Sequence, residues 1–587
     1  MRLKNYIEMQ KVTRFRITAW VVSAMLLPAV LQSGCSGQKS AVGTGAASVQ
    51  STGAVEARKG MVVTASEYAS QVGLDVLKKG GNAVDATVAV QFALAVVYPN
   101  AGNIGGGGFM VYRAASGATS TLDYREKAAS KASRNMYLDE AGNAIVEKSL
   151  YGSLASGVPG SVAGMVEAHQ KYGKMKWADL VEPAVQLAKN GFKISARQAR
   201  ELNGLQAQLK KLNTLGTALI KEQWAAGDLL IQPELAFTME QIRDKGRAGF
   251  YEGPVADAIV AQMNHDGGII SKEDLKNYQA VWRDAITGTY KDFKIITMPP
   301  PSSGGIALIQ LLKSVEPFAL KRWGFNKDST VQVMVEAERR VYADRAAHLG
   351  DPDFYKVPTR TLMSDAYVKK RMADFNWNRA TPSSAVSAGA ISPAEHEETT
   401  HFSIVDAEGN AVSSTTTLNG SYGAVVVVKG AGFLLNNEMD DFSVKPGSPN
   451  MYGLVGGEAN SIAPNKRMLS SMTPTILEKD GKLYMVVGTP GGSTIITSVF
   501  QTILNVVEFD KDMQAAVDAK KFHHQWLPDE VAFEAEAIDS VTVEKLKAKG
   551  YKMVPRGPIG RVDAILKIKS GYQGGADPRG DDKVMGF

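Results

Sequence analysis

The chain has 587 residues, which is long enough for a large hydrophobic core and, by length alone, for two to four domains. Hydrophobic residues make up 44% and charged residues 21% of the sequence, a composition typical of folded globular proteins. The formal net charge is +6, and four of these six positive charges lie in residues 1–34. The rest of the chain is therefore nearly neutral, which removes any electrostatic case for binding nucleic acid.

Residues 1–34 have the pattern of an export signal. A basic segment ends at Arg16 and is followed by an apolar stretch and then by small residues. Cys35, the only cysteine, comes next, so the sequence offers neither a disulfide framework nor a thiolate metal site. Its position resembles the lipid-modified cysteine of bacterial lipoproteins, although Gln32 replaces the leucine usual in that motif. We expect a periplasmic, lipid-anchored protein with a flexible linker over 36–59; simple secretion and an uncleaved anchor are the alternatives.

The folded body is predicted to begin near Val62. Apolar residues at helical spacing predict a helix over 68–79, and residues 85–98 are apolar on nearly all sides, which predicts a buried helix. Two strands are predicted at 110–113 and 120–124, where they form a hairpin.

A glycine-rich run over 102–110 separates the buried helix from the first of these strands. A phosphate-binding loop would need a following Lys-Ser/Thr pair and a helix, but a predicted strand follows here. We therefore exclude nucleotide binding and expect a tight crossing of the backbone in the core.

The middle and the end of the chain differ in their periodicity. Residues 155–380 are predicted to be mostly helical, whereas 382–397 lack periodicity and form a natural place for a cut. The helices predicted in this middle region are 162–169, 177–188, 254–262, 306–312 and 330–347. The strands predicted after it are 401–405, 411–416, 424–428, 483–487 and 541–543, with helices at 494–508 and 513–520. This order favours strands stacked between helical layers.

Thr399 and Thr400 lie where the polar stretch meets a predicted strand. Inside an intact chain, the Thr399 hydroxyl has no base beside it. If the Glu398–Thr399 bond is cut, Thr399 gains an α-amino group with an ordinary pKa of about 7.7–8.0, which can accept the proton of the hydroxyl on the same residue. Two threonines at a strand edge are more often an ordinary structural feature, so this interpretation depends on the residues downstream.

Polar segments downstream of Thr399 offer the groups needed to bind a free amino acid. Each segment alone is better explained as a turn, a cap or a solvated acid than as part of a site. Together they provide acids for an ammonium group, hydroxyls and an arginine for a carboxylate, and N–H donors for an oxyanion. The segments are 417–419, 436–442, 468–474 and 487–493, with Arg125 upstream.

These motifs closely resemble those of the γ-glutamyltranspeptidases, in order, from about Gly60 onwards. The motifs are TTHFSIVD at 399–406, TLN at 417–419, LLNNEMDDF at 434–442, LSSM at 469–472 and GTPGG at 488–492, preceded by GNIGGGGFM at 102–110, DYRE at 123–126, SGVPG at 156–160 and YADR at 342–345. The resemblance implies an α+β fold, the four-layer αββα sandwich of N-terminal-nucleophile hydrolases. It also implies a precursor that cleaves itself into a large subunit, 60–398, and a small subunit, 399–587, which form one intertwined domain over 60–587.

The resemblance further implies a catalytic mechanism. After cleavage between Glu398 and Thr399, the Thr399 hydroxyl attacks the γ-amide of glutathione or another γ-glutamyl compound. Thr417 orients the Thr399 amine, and the backbone N–H groups of Gly491 and Gly492 hold the oxyanion. The resulting ester is resolved by water or by the amine of an amino acid or peptide.

The substrate-binding residues are implied in the same way. The α-carboxylate is bound by Arg125, Ser470 and Ser471, and the α-ammonium by Asn419, Glu438 and Asp441. Residues 446–460, which include Tyr452, resemble the lid loop of bacterial members and argue against relatives that lack a lid and accept bulky polymers.

Two other functions are weighed against this one. An N-terminal-nucleophile acylase of glutaryl β-lactam side chains would not need the ammonium ligands, and an inactive envelope binding protein would not need Thr399, Thr417 and the glycine pair. The seven histidines are scattered, His401 is expected to be structural, and the adjacent His523 and His524 cannot both face one metal from a regular element. We therefore expect no metal and no cofactor.

Overall fold

The computed structural model describes residues 53–387 and 399–587. The predicted export signal, Cys35, most of the linker and Glu398 lie outside the described residues. Within the two described ranges, no helix is both long and apolar enough to cross a lipid bilayer.

Two antiparallel seven-stranded β-sheets form the centre of the described part of the chain. Sheet I consists, in spatial order, of β19 (Lys583–Gly586), β2 (Met61–Thr64), β10 (Thr400–Val405), β11 (Ala411–Thr417), β3 (Gly107–Arg113), β4 (Thr119–Asp123) and β7 (Val281–Arg283). Sheet II consists of β1 (Val55–Ala57), β18 (Gly571–Ala576), β17 (Asp563–Ile568), β13 (Lys482–Gly488), β12 (Thr475–Lys479), β9 (Phe293–Thr297) and β8 (Ile286–Tyr290). Each sheet thus combines strands from before and after Thr399.

Smaller elements and helices complete the described chain. The smaller strands are β5 (Phe192–Lys193) with β6 (Leu229–Leu230), and β14 (Phe522–His523) with β15 (Val531–Glu534) and β16 (Met553–Arg556). The helices are α1 (Glu67–Lys78), α2 (Ala83–Val97), α3 (Val146–Leu150), α4 (Ser161–Tyr172), α5 (Trp177–Asn190), α6 (Ala196–Leu212), α7 (Pro233–Lys245), α8 (Ala248–Tyr251), α9 (Gly253–Asp266), α10 (Lys272–Asn277), α11 (Gly304–Val315), α12 (Leu320–Trp323), α13 (Asp328–His348), α14 (Thr359–Leu362), α15 (Asp365–Arg371), α16 (Thr494–Val507), α17 (Met513–Asp518) and α18 (Ser540–Ala548).

The two sheets pack face to face between layers of helices. The Ser403 hydroxyl of β10 donates to the Asp563 carbonyl of β17 at 3.0 Å, so the sheets are joined directly across their interface. Side chains alternate between the two faces of a strand: in β2, Val62 packs into the core shared with α1 and α2, and Val63 packs into the core shared with sheet II. Helices α11 and α16 cover sheet II. This arrangement confirms the predicted αββα sandwich.

Most predicted elements are confirmed, and the errors have clear physical causes. The strand predicted over 424–428 is wrong: four of its five residues are β-branched valines, but the chain turns there, with Val425 at φ 57°. Residues 541–543 lie in helix α18, whose first turn is capped by the Asp539 side chain. Strands β8 and β9 occur in the region predicted to be mostly helical. Valine-rich stretches alone therefore do not distinguish a strand from a buried turn or a helix.

The glycine run is a close backbone crossing, as predicted. A Cβ atom added to Gly105 would lie 2.1 Å from the Leu434 carbonyl oxygen, and one added to Gly106 would lie 2.0 Å from the Thr417 carbonyl oxygen. Only glycine allows the backbone to approach these carbonyls so closely. The run thereby packs directly behind the end of β11, where the candidate site begins.

Candidate active site

Thr399 lies immediately before β10 and lines a cavity that is formed mostly by polar side chains. The antiparallel register of β10 and β11 places Thr400 opposite Thr416, so Thr399 and Thr417 are neighbours. Their hydroxyl oxygens are 3.4 Å apart, and Thr399 is only 4% exposed. Strand pairing, rather than a flexible loop, therefore positions the predicted nucleophile.

Thr417 links the predicted nucleophile to the loop after β11. Its hydroxyl oxygen accepts a hydrogen bond from the Asn419 backbone N–H at 2.8 Å. Asn419 has φ 72°, a left-handed conformation that asparagine tolerates better than most residues. The turn directs the Asn419 side chain into the cavity, where its amide donates to the Asn437 carbonyl at 3.0 Å.

The predicted oxyanion donors lie in the turn between β13 and α16. Gly491 has φ 134° and Gly492 has φ 45°, so both positions require glycine. The Gly491 carbonyl accepts from both the backbone N–H and the hydroxyl of Thr494 at 2.8 Å, which fixes the turn at the beginning of the helix. Gly492 lines the same cavity as Thr399.

All of the predicted substrate-binding side chains line this one cavity. They come from four separate segments of sequence, so tertiary folding brings them together. The lining residues include Arg125, Thr399, Thr417, Asn419, Glu438, Asp441, Tyr452, Ser470, Ser471 and Gly492. Gly491, the second predicted oxyanion donor, lines an adjacent cavity instead.

Arg125 is the centre of a buried charge cluster. Its guanidinium contacts the Glu438 carboxylate, donates to Asp441 Oδ2 at 2.6 Å and donates to the Leu469 carbonyl at 3.0 Å. Glu126 Oε2 lies 3.7 Å from the same guanidinium. All three carboxylates thus lie beside Arg125, and burial raises the pKa of Glu438 well above its usual value despite the opposing effect of Arg125.

Two residues of this cluster were not assigned a role from the sequence. Glu126 follows Arg125 directly and is fully buried, and burial raises the pKa of its carboxyl. Arg345 of α13 donates to the Ser471 hydroxyl at 3.0 Å and to the Ser303 hydroxyl at 2.9 Å. Both lie in recognised motifs, DYRE and YADR, but only the tertiary structure shows that they adjoin the predicted substrate-binding residues.

The predicted lid loop lies over the cavity. The Tyr452 hydroxyl donates to the Asn419 carbonyl at 2.6 Å. The loop is also held by Asn450, whose amide donates to Asp441 Oδ1 at 2.9 Å, and by the Met451 N–H, which donates to Asp440 at 2.8 Å. These contacts leave a small cavity of about 20 Å³, enough for about one water molecule.

None of the histidines in the described residues lines this cavity. His401 is buried between the sheets, where Nδ1 lies 2.8 Å from the Thr415 hydroxyl, and burial lowers its pKa to about 3. His523 contacts Thr497 and His524 contacts Asp529, so the adjacent rings have different neighbours. In the described residues, no group of three or more His, Cys, Asp or Glu side chains is arranged to hold a metal ion.

Comparisons with known proteins agree with the geometry of the site. Residues 69–587 match a family model described as gamma-glutamyltranspeptidase. The chain is 46% identical over 538 residues to the glutathione hydrolase proenzyme of Escherichia coli K12, an alignment that covers 91% of this chain and 93% of the relative.

Two solved structures are similar as well. The γ-glutamyltranspeptidase of Helicobacter pylori has 45% identity and a TM-score of 0.54, covering 55% of this chain and 93% of that one. The cephalosporin acylase of Bacillus halodurans has a TM-score of 0.79 at 24% identity, covering 91% of this chain and 97% of that one, a similarity that concerns the fold alone.

Proposed function

Because the chain belongs to the γ-glutamyltranspeptidase family, we propose that it cleaves the γ-glutamyl amide bond of glutathione and other γ-glutamyl compounds. The observation that carries this proposal is the convergence of Thr399, its neighbour Thr417, the Gly492 turn and a buried cluster of opposite charges in one cavity. This combination provides a nucleophile and binding groups for the two charges of an α-amino acid.

The first step is self-cleavage of the precursor at Glu398–Thr399. The Thr399 hydroxyl attacks the carbonyl carbon of the preceding residue, its proton passes to the departing amide nitrogen, and an ester replaces the amide. This acyl shift already frees the Thr399 α-amine. Water then hydrolyses the ester, which restores the Thr399 hydroxyl and leaves a carboxylate on Glu398. The products are a large subunit that ends at Glu398 and a small subunit, 399–587, which remain paired because both sheets contain strands from each.

Catalysis reuses the same hydroxyl. The α-amine of Thr399 accepts the proton of its own hydroxyl, directly or through water, and the oxygen attacks the γ-carbonyl carbon of the substrate. The backbone N–H groups of Gly491 and Gly492 stabilise the oxyanion, a contribution of about 3–4 kcal/mol per donor in comparable sites. The amine proton passes to the leaving nitrogen as the C–N bond breaks. Water or an amine acceptor then attacks the ester and regenerates Thr399.

Substrate recognition depends on exchanging one set of ion pairs for another. In this structure Arg125 contacts Glu438 and Asp441. An α-amino acid carries a carboxylate that can replace these contacts on Arg125 and an ammonium group that can take up the released carboxylates. Charges that are already buried then remain paired, which avoids the several-kcal/mol cost of leaving a buried charge alone. Neutral hydrogen bonds to the same two substrate groups come from Ser470, Ser471 and Asn419.

The ammonium-binding carboxylates also favour this function over a glutaryl acylase. A glutaryl group has the same carbon chain as a γ-glutamyl group but lacks the α-amine. Such a substrate would leave Glu438 and Asp441 without a cation once its carboxylate occupied Arg125. We therefore expect strong discrimination against it.

Two measurements test the proposed function. The purified protein should separate into two fragments on a denaturing gel, with the smaller one beginning at Thr399, whereas Thr399→Ala should remain a single chain. Release of nitroaniline should be about 10- to 100-fold faster from a γ-glutamyl anilide than from the matched glutaryl anilide, as expected for hydrogen bonds to a charged group. Equal rates would contradict the assignment of the ammonium ligands.

Export and anchoring form a separate part of the proposal. The pattern of residues 1–34 supports delivery to the cell envelope, and the position of Cys35 supports a lipid anchor. The linker predicted over 36–59 ends earlier than expected, because Val55–Ala57 already forms β1 and pairs with β18. Incorporation of a labelled acyl chain that is abolished by Cys35→Ser would support the anchor. Mature protein that starts upstream of Cys35 and carries no acyl chain would rule it out.

A further inference from the structure

Arg345 lies directly behind Ser470 and Ser471, the two serines predicted to bind the substrate carboxylate. It belongs to helix α13 and is buried, and it does not itself line the catalytic cavity. Its Nη2 donates to the Ser471 hydroxyl at 3.0 Å, and its Nε donates to the Ser303 hydroxyl at 2.9 Å. The guanidinium therefore acts on the cavity through Ser471, which does line it.

Ser303 connects the same guanidinium to the other serine of the pair. It lies immediately before α11, and its hydroxyl and its backbone N–H both donate to the Ser470 carbonyl, at 2.6 and 2.7 Å. Arg345 thus holds Ser471 through its hydroxyl and holds Ser470 through its backbone. These contacts give a role to the loop over 299–305, which the proposed catalytic steps do not use.

The hydrogen bonds of the two serines determine where their hydroxyls can donate. A guanidinium carries only donors, so the Ser471 oxygen must accept from Arg345. The Ser470 oxygen likewise accepts from the Met472 backbone N–H at 3.1 Å. Within the part of the chain that the structure describes, neither hydroxyl donates to a protein acceptor. Both hydroxyl hydrogens are therefore available to an acceptor in the cavity, such as a carboxylate.

Arg345 is also a buried cation without a close counterion. Among the described residues, no carboxylate lies within ion-pair distance of its guanidinium, whereas Arg125 contacts two. Burial lowers the pKa of Arg345, an effect that the more distant Asp441 only partly offsets. A buried charge of this kind is unfavourable for folding and favours the binding of an anion beside it.

We propose that Arg345 and Ser303 are positioning residues that make the cavity selective for substrates with an α-carboxylate. Arg345 orients the Ser471 hydroxyl towards the carboxylate and adds a positive charge behind it, while Ser303 fixes the backbone of Ser470. The inference rests on the proposed function, because that reaction requires the α-carboxylate to lie against these two serines.

The test compares two donors that differ only in the α-carboxylate. They are a γ-glutamyl anilide and the matched 4-aminobutanoyl anilide, which keeps the carbon chain and the amine, and the ratio of their kcat/KM values measures selectivity for the carboxylate. Arg345→Met removes the charge and the donors but keeps a long side chain. It should lower this ratio about tenfold or more, mainly through a higher KM for the γ-glutamyl donor. Ser303→Ala should lower the ratio about 2- to 10-fold.

Two further variants separate positioning from structural support. Arg345→Lys keeps the charge but lacks the planar fork that reaches both hydroxyls, so its ratio should lie between those of wild type and Arg345→Met. Arg340→Gln removes another buried arginine of α13, which pairs with Glu336 and Asp374 instead of contacting the serines. It is the matched control and should keep the wild-type ratio, even though it should lower the midpoint of urea unfolding by leaving those carboxylates unpaired.

The outcomes distinguish this inference from the proposed function. An unchanged ratio in Arg345→Met and Ser303→Ala overturns the inference, and so does an equal loss of turnover with both donors, because that result reveals a structural role. If Arg345→Met does not mature into two fragments, Ser303→Ala decides the question, since it leaves the arginine in place. A wild-type enzyme that releases no nitroaniline from the γ-glutamyl anilide refutes the proposed function instead.

Discussion

Removal of the Thr417 hydroxyl provides a quantitative test of how the nucleophile is positioned. Thr417→Val keeps the branched shape and volume of the side chain but removes its oxygen. That oxygen lies 3.4 Å from the Thr399 hydroxyl and accepts the Asn419 N–H at 2.8 Å. The substitution therefore removes one contact to the nucleophile and leaves one buried backbone donor without its acceptor.

The expected loss of stability follows from that buried donor. An unsatisfied buried N–H costs about 1–3 kcal/mol. The measurement is best made in a Thr399→Ala background, where the chain stays in one piece and the contact between the two hydroxyls is already absent. Urea unfolding of Thr399→Ala with and without Thr417→Val should then isolate the cost of leaving the Asn419 N–H without its acceptor, because this is the hydrogen bond of the Thr417 hydroxyl that remains in the Thr399→Ala background.

The expected loss of activity follows from the contact to Thr399. A nucleophile that is displaced by about 1 Å typically loses about 100-fold in rate. Thr417→Val should therefore slow both the conversion of precursor into two fragments and the turnover of a γ-glutamyl anilide by about this factor. Thr417→Ser retains the hydroxyl and is the control, with rates close to wild type.

One result would refute this reasoning. If Thr417→Val is processed and turns over substrate within twofold of wild type, the hydroxyl does not position Thr399, whatever its effect on stability. Loss of activity in Thr417→Ser as well as in Thr417→Val would point to the methyl group and packing instead.

Three further substitutions test the charge cluster, the lid and the buried histidines. Arg125→Gln should lower the free energy of unfolding by about 3–5 kcal/mol, because Glu438 and Asp441 lose their buried countercharge. A loss of less than about 1 kcal/mol in a urea titration would contradict this expectation. Tyr452→Phe removes the 2.6 Å hydrogen bond to the Asn419 carbonyl, and a hydrogen bond of this kind contributes about 0.5–1.5 kcal/mol. The substitution should therefore raise KM for the anilide about 2- to 10-fold and leave kcat nearly unchanged. An unaltered KM would count against a lid role. Burial lowers the pKa of His523 from 6.5 to about 3. The contribution of the neutral, buried ring to the free energy of unfolding is therefore complete above pH 6.5 and is lost as the pH falls towards 3. Between pH 6.5 and 5.0 wild type should therefore lose about 2 kcal/mol more than His523→Gln in urea unfolding, and equal pH slopes would show that His523 is not buried neutral.

The sequence alone determined which chemical groups are present and which local elements carry them. Helical periodicity located α2, α5, α11 and α13 to within a few residues, because a helix buries one face at a fixed spacing that can be counted along the chain. The ordered motifs and the family resemblance supplied the predicted site residues, but they gave no role to Glu126 or Arg345. Valine-rich segments were less informative, because β-branched residues suit strands and buried turns alike, as at 424–428.

Only the tertiary structure decided how those groups meet. Thr399 and Thr417 become neighbours through the pairing of β10 with β11, and Arg125 reaches Asp441 across more than three hundred residues of sequence. Glu126 and Arg345 join the cluster through contacts that no spacing in the sequence reveals. The physical reason is that charge pairing and burial depend on distances in space, which are set by how sheets and helices pack, whereas periodicity reports only how each segment folds locally.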